Sequence, residues 1–218
     1  MDHLKIAQLC IDAYSDQPDI RDKDNVVRAI IRSIDGEKVC GFAGTDPTQI
    51  HDLLTDVNAV PKSIPEIGWG HGGIFHAMLN SVEMLDEVVG DDPAWLCGHS
   101  LGGGLAEAYA YYRIISGKPI LGLITFGKPM ITIGPRAGRI IQGKPVTLYR
   151  HASDVIPLLP IRVPLLIEYT HPAVMTQLGK PGPSVDWSDI HGAIDRELAA
   201  HSMEATIASL KLLKKGLA

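Results

Sequence analysis

The sequence predicts an α/β protein: a mostly parallel sheet with helices on its faces, entered through an antiparallel hairpin. Three observations carry this. Residues 25–34 and 37–42 are rich in β-branched and apolar types and are joined by Asp35-Gly36, a pair whose glycine tolerates the positive φ of a tight hairpin turn. From Ile74 onward, Ile74, Phe75, Met78, Leu79, Val82, Leu85 and Val89 recur at three- and four-residue steps, the period of an amphipathic helix. Beyond it, apolar runs alternate with a small-residue helical stretch, the strand-helix-strand order that builds a parallel sheet.

Taken in order, the hairpin supplies the antiparallel start. The amphipathic helix ends at Gly90-Asp91-Asp92-Pro93, a glycine and proline stop. Residues 94–97 then read as a buried strand, 101–113 as a helix, 120–126 as a second buried strand and 145–149 as a third. Residues 155–183 are loop-rich, with prolines at 157, 160, 164, 172, 181 and 183, and 163–169 fit either an edge strand or loop. Residues 190–213 read as helix in one or two pieces, with Lys211, Lys214 and Lys215 suited to a helix carboxyl end. There is no internal repeat and no composition shift marking a linker, so the expectation is one domain spanning 1–218.

Composition narrows the function classes. With 45% hydrophobic and 21% charged residues the chain can bury a sizeable core. Its 20 Lys+Arg against 25 Asp+Glu give no basic field for nucleic acid or anionic membrane. Cys10, Cys40 and Cys97 are odd in number and lack CxxC spacing, which argues against a disulfide framework or zinc site. His71 and His76 have neither a carboxylate partner nor HExxH spacing, so no metal is expected there. With no basic-then-apolar amino-terminal segment, the expectation is a soluble, cytoplasmic protein, and no feature of the sequence calls for a cofactor.

The stretch Cys97-Gly98-His99-Ser100-Leu101-Gly102-Gly103-Gly104 follows a predicted buried strand and opens a predicted helix. Glycines two residues either side of Ser100 let the chain turn sharply where side chains would strike neighbouring backbone, lifting the serine above the sheet. The turn also aims the first unpaired N–H groups of the helix, that of Leu101 among them, at charge developing beside the hydroxyl. The bland alternative is a glycine-rich turn. The run lacks the Gly-Lys-Ser/Thr ending of a phosphate loop, so the strand-serine-helix context favours a nucleophile.

Four segments in order, Gly41-Phe42-Ala43-Gly44-Thr45-Asp46, Gly98-His99-Ser100-Leu101-Gly102-Gly103, Thr125-Phe126-Gly127-Lys128-Pro129 and Asp154-Val155-Ile156-Pro157-Leu158-Leu159-Pro160, resemble the class 3 lipases of the α/β-hydrolase fold. The proline-rich segment after Asp154 is the more particular to that family. The chain departs from many relatives at Ala43, Leu53 and Ile74, where they carry Arg, Trp and Phe.

A serine hydroxyl needs a base, and a neutral imidazole held by a carboxylate serves near neutral pH. In this fold the order is serine, acid, histidine, so the candidates lie beyond residue 100. Asp154 follows the strand at 145–149, where such folds gather functional groups; the alternatives are a turn role for it, or Asp186 or Asp189 as the acid. Of His151, His171, His191 and His201, His151 is too near Asp154 along the chain to be the base. The resemblance implies Asp154 as the acid and His201 as the base, with His191 the competitor, and it implies Thr45 as the second oxyanion donor beside Leu101. Ser202 fits the cap of a helix starting at Met203.

In the family a lid lies between the oxyanion residue and the next helix, here residues 47–70. Its apolar residues suit either transient contact with a lipid interface or inward packing. Likewise Val155, Ile156, Leu158, Leu159 and Val163 suit an acyl pocket or a piece of core. The expected function is a serine hydrolase of carboxylic esters acting on an acyl ester or lipid. Acyl transfer through the same residues and a catalytically silent binding scaffold are the rivals.

Overall fold

The computed structural model describes residues 1–15, 17–44, 60–160, 168–180 and 199–216. Helix α1 (His3–Asp12) opens the chain, capped by Asp2, whose carboxylate accepts from the Leu4 N–H. Strands β1 (Ile20–Arg21), β2 (Arg28–Ile34) and β3 (Glu37–Phe42) follow. The Asp35-Gly36 hairpin pairs β2 with β3 antiparallel, and both turn residues have positive φ.

Strands β4 (Pro61–Ile64) and β5 (Gly68–His71) precede α2 (Gly72–Val89), which leads through β6 (Ala94–His99) to α3 (Leu101–Ile115). Strand β7 (Ile120–Phe126), strand β8 (Thr132–Ile133), the short helix α4 (Arg136–Ile140) and strand β9 (Val146–His151) come next. After a 3-10 turn at Ile156–Leu158 stand β10 (Tyr169–Thr170), β11 (Met175–Leu178) and the helix α5 (Met203–Lys214), capped by Ser202, whose hydroxyl accepts from the Ala205 N–H.

The main sheet runs β1-β2-β3-β6-β7-β9-β11. It is parallel from β3 through β11 and antiparallel only across β1, β2 and β3. Helices α1 and α5 pack together on one face, α2 and α3 on the other. The central strands feed both: in β7, Ile120 and Leu123 enter the α2/α3 core while Ile124 and Phe126 enter the α1/α5 core. Burial on both faces is why these strands read as unbroken apolar runs.

A smaller antiparallel sheet, β10-β8-β5-β4, stands beside the main one. It contains the carboxyl-terminal part of the candidate lid at 47–70. From Pro61 onward that segment is a hairpin whose second strand pairs with β8. Ile64 and Ile67 pack inward, while Val60 and Trp69 are 52% and 56% exposed. Residues 47–59 of the candidate lid lie outside the described residues, as do Val163 and residues 190–198. Tyr169 belongs to β10, which pairs with β8 rather than extending the main sheet.

Helix α2 begins at Gly72 because His71 caps it: the His71 Nδ1 accepts from the Ile74 N–H. Leu79 leaves the predicted stripe and is exposed. It follows Met78 by one residue, about 100° around the helix from the buried face.

Candidate active site

Ser100 caps the amino end of α3 with φ 55° and ψ −131°, a left-handed conformation unusual for a residue with a side chain. The flanking glycines explain how the turn is tolerated. A Cβ at Gly98 would lie 2.3 Å from the Gly102 carbonyl group, and one at Gly102 would lie 2.3 Å from the Phe42 carbonyl oxygen. Each glycine is therefore a steric requirement of the turn after β6. The Ser100 N–H donates to the Phe126 carbonyl at 3.0 Å, tying the serine to the end of β7.

Gly127, the next residue, has φ +59°, and a Cβ there would fall 2.7 Å from Asp154 Oδ2 and 2.9 Å from the His201 ring. Asp154 and His201 thus sit directly over the backbone that follows the strand holding Ser100. Asp154 lies just past β9, and its Oδ1 accepts from the Ile156 N–H at 2.9 Å. Its Oδ2 stands 2.9 Å from His201 Nδ1, with both side chains buried.

The opposite nitrogen, His201 Nε2, is buried and has no hydrogen-bond partner among the described residues. The structure therefore brings Asp154 and His201 into direct contact over Gly127, one residue past the Phe126 carbonyl that holds the Ser100 N–H, and among the described residues nothing bonds to Nε2. A buried imidazole nitrogen with no partner is costly unless a ligand or a nearby hydroxyl completes it. Such catalytic bonds are often open in free enzymes and close in the Michaelis complex.

Leu101 opens α3, where helix geometry leaves its N–H without an intrahelical acceptor. Thr45, His191, Asp186 and Asp189 lie outside the described residues. Gly44, next to Thr45, approaches the serine closely: a Cβ there would be 3.2 Å from Ser100 Cβ.

His171 is not a base. Its Nε2 donates to the Pro157 carbonyl at 2.8 Å, and its Nδ1 accepts from the Lys128 ammonium at 3.0 Å. Burial, reinforced by the Lys128 charge, lowers its pKa to about 3. Among the described residues no group of His, Cys, Asp and Glu is arranged to hold a metal. Val155, Ile156 and Leu159 are buried, and an apolar cavity of about 270 Å³ opens instead beside His201, lined by Ile11, Tyr14, His99 and Met203 among others.

The sequence matches the family described as Lipase (class 3) over residues 39–163, more than half of its length. The chain belongs to the class 3 lipase family. As a member it is an ester-hydrolysing enzyme whose substrate is a lipid ester. No curated protein matches the sequence, but solved lipases share its fold. The triacylglyceride lipase of Rhizomucor miehei is 17% identical, with 81% of this chain and 79% of that one covered at a TM-score of 0.63. A triacylglycerol lipase described as having a serine protease triad for its catalytic centre is 18% identical, with 73% and 74% covered at 0.58. A lipase of Yarrowia lipolytica is 15% identical, with 82% and 78% covered at 0.58.

The charged pair behind the site escaped sequence reasoning. Glu107 on α3 and Lys128 after β7 are both buried and meet at 2.5 Å, and Tyr111 donates its hydroxyl hydrogen to Glu107 at 2.9 Å. The Lys128 ammonium also donates to the Pro129 carbonyl. Burial pulls the Lys128 pKa down and the Glu107 charge opposes the shift. The signal was available: a lone Glu in the small-residue helix and a lone Lys after a buried strand are opposite charges in apolar surroundings, and buried charges come paired.

Proposed function

We propose that this lipase cleaves its ester through Ser100 as nucleophile, His201 as general base and acid, and Asp154 as the group that orients the imidazole. The observation that carries the reading is the state of the His201 ring, with Nδ1 on Asp154 and Nε2 buried without a partner among the described residues. A carboxylate only accepts, so it holds the proton on Nδ1 and leaves the Nε2 lone pair free to take another. Rotation of the Ser100 side chain brings its hydroxyl to that lone pair.

Ser100 Oγ then bonds to the acyl carbon as its proton passes to Nε2. The oxyanion is held by the N–H groups of Leu101 and Thr45, each such donor contributing about 3 kcal/mol of barrier lowering. As the alkoxy bond breaks, Nε2 returns the proton to the departing alcohol. Water repeats the sequence on the acyl-enzyme, releasing the acid and restoring Ser100.

The apolar cavity beside His201 suits the hydrocarbon part of the ester, and the apolar residues of 47–70, with Val60 and Trp69 exposed, suit transient contact with a lipid surface. The test is hydrolysis of p-nitrophenyl esters of increasing acyl length, above and below their solubility limit, by wild type and Ser100→Ala. A rate jump at the limit supports surface contact; turnover by Ser100→Ala equal to wild type contradicts the mechanism.

A further inference from the structure

Two histidines outside the proposed triad hold consecutive backbone carbonyls around His201. His151, the last residue of β9, has Nδ1 3.0 Å from the Ala200 carbonyl oxygen and Nε2 3.0 Å from Ser209 Oγ. His99, the last residue of β6, has Nε2 2.7 Å from the His201 carbonyl oxygen and Nδ1 2.8 Å from the Tyr14 hydroxyl.

The hydrogens can be assigned. A carbonyl oxygen only accepts, so the nitrogen facing it carries the hydrogen: Nδ1 in His151, Nε2 in His99. In a neutral ring the remaining nitrogen accepts, taking the hydroxyl hydrogen of Ser209 or Tyr14. The two rings are therefore opposite tautomers, each selected by its own pair of partners.

We infer that His99 and His151 are positioning residues that clasp the peptide planes on either side of the His201 Cα and so aim its ring at Asp154 and Ser100. The inference rests on the reading of His201 as the base. Peptide units are planar, so pinning the carbonyls of residues 200 and 201 fixes the rotation of both planes and hence the direction of the His201 Cα–Cβ bond. Strands β6 and β9 flank β7 in the sheet, so the two rings approach the His201 segment from either side of the strand that leads into Gly127. His99 also lies against the His201 ring, centroids 4.5 Å apart. Burial, and then the His201 charge, hold its pKa well below the usual histidine range, so it stays neutral while its neighbour takes up a proton.

Crossed amide substitutions separate aiming from mere folding. An Asn amide nitrogen stands near the Nδ1 position of a histidine and a Gln amide nitrogen near Nε2. His151→Asn and His99→Gln thus keep the carbonyl bond, while His151→Gln and His99→Asn misplace it. The four full-length variants are assayed on a soluble p-nitrophenyl ester, with rates divided by the Ser100 sites titrated with a fluorophosphonate, so that unfolded protein does not count. The matched variants are expected to keep kcat within about threefold and the misplaced ones to lose about tenfold or more, with KM unchanged in the His151 pair; His99 lines the cavity proposed for the hydrocarbon chain, so its pair is compared on kcat alone. Equal kcat for Asn and Gln at either position, or a ranking that follows Tm instead of geometry, overturns the inference. A folded wild type that takes up no label and hydrolyses no ester overturns the catalytic reading itself, a distinguishable failure.

Discussion

Asp154 Oδ2 and His201 Nδ1 stand 2.9 Å apart in a buried contact, and the far side of the same ring ends in a nitrogen that, among the described residues, has no hydrogen-bond partner. The carboxylate decides which nitrogen carries the hydrogen. Asp154→Asn keeps the shape but can present an N–H to Nδ1, turning the ring to the tautomer that cannot accept from Ser100. The expected loss is about 10⁴-fold in kcat with little change in KM, read by steady-state kinetics on a soluble ester. A loss below tenfold would move the acid role elsewhere.

Gly127 tests the convergence sterically. Its φ is positive, and a Cβ at this position would come within 2.7 Å of Asp154 Oδ2, which leaves no room for a methyl group. Gly127→Ala should lower kcat by about a hundredfold by pushing Asp154 and His201 off the productive geometry, with a reduced Tm from the left-handed backbone. Unchanged kinetics would show that the pair tolerates displacement.

Glu107 and Lys128 form the pair most sensitive to losing one member. Lys128→Met strands a carboxylate that is wholly buried and should destabilise by about 3–5 kcal/mol in urea unfolding, whereas Glu107→Leu with Lys128→Met should recover most of that. Additive losses in the double variant would mean the two groups do not depend on each other.

The central sheet is readable in the sequence because β3, β6 and β7 are mostly buried and carry apolar runs, while β9 shows only a short one, Val146 to Tyr149; the limits read for β7, 120–126, are those observed. Strands β4, β5, β8, β10 and β11 have two to four residues each, too short to show a period, and α1 leans on a sheet and on α5, contacts with no local signature. In the site, the nucleophile turn is legible because its chemistry is local: glycines at 98 and 102 and a serine between them. The roles of His99 and His151 are not, since a histidine that donates to a carbonyl far along the chain looks in sequence like any other.

His71 gives the fold an acid-sensitive cap. Its Nδ1 accepts from the Ile74 N–H, and burial lowers its pKa to about 4. The unfolded chain, with its histidine near about 6.5, therefore binds more protons between these values. Stability is full above the higher value and falls as pH drops toward the lower, by up to about 1.4 kcal/mol per pH unit for this group. His71→Asn keeps a cap that does not titrate, so its urea midpoint should fall less steeply between pH 7 and 4. Parallel curves for the two proteins would contradict the assignment.

The hydroxyl at position 100 as the attacking atom is the claim on which the catalytic account stands, and a fluorophosphonate reports on it directly. Intact-mass and peptide analysis of the treated protein should find one adduct, on Ser100, lost in Ser100→Ala and formed far more slowly in His201→Ala. A folded protein that takes up no label, or carries it on another residue, contradicts the account.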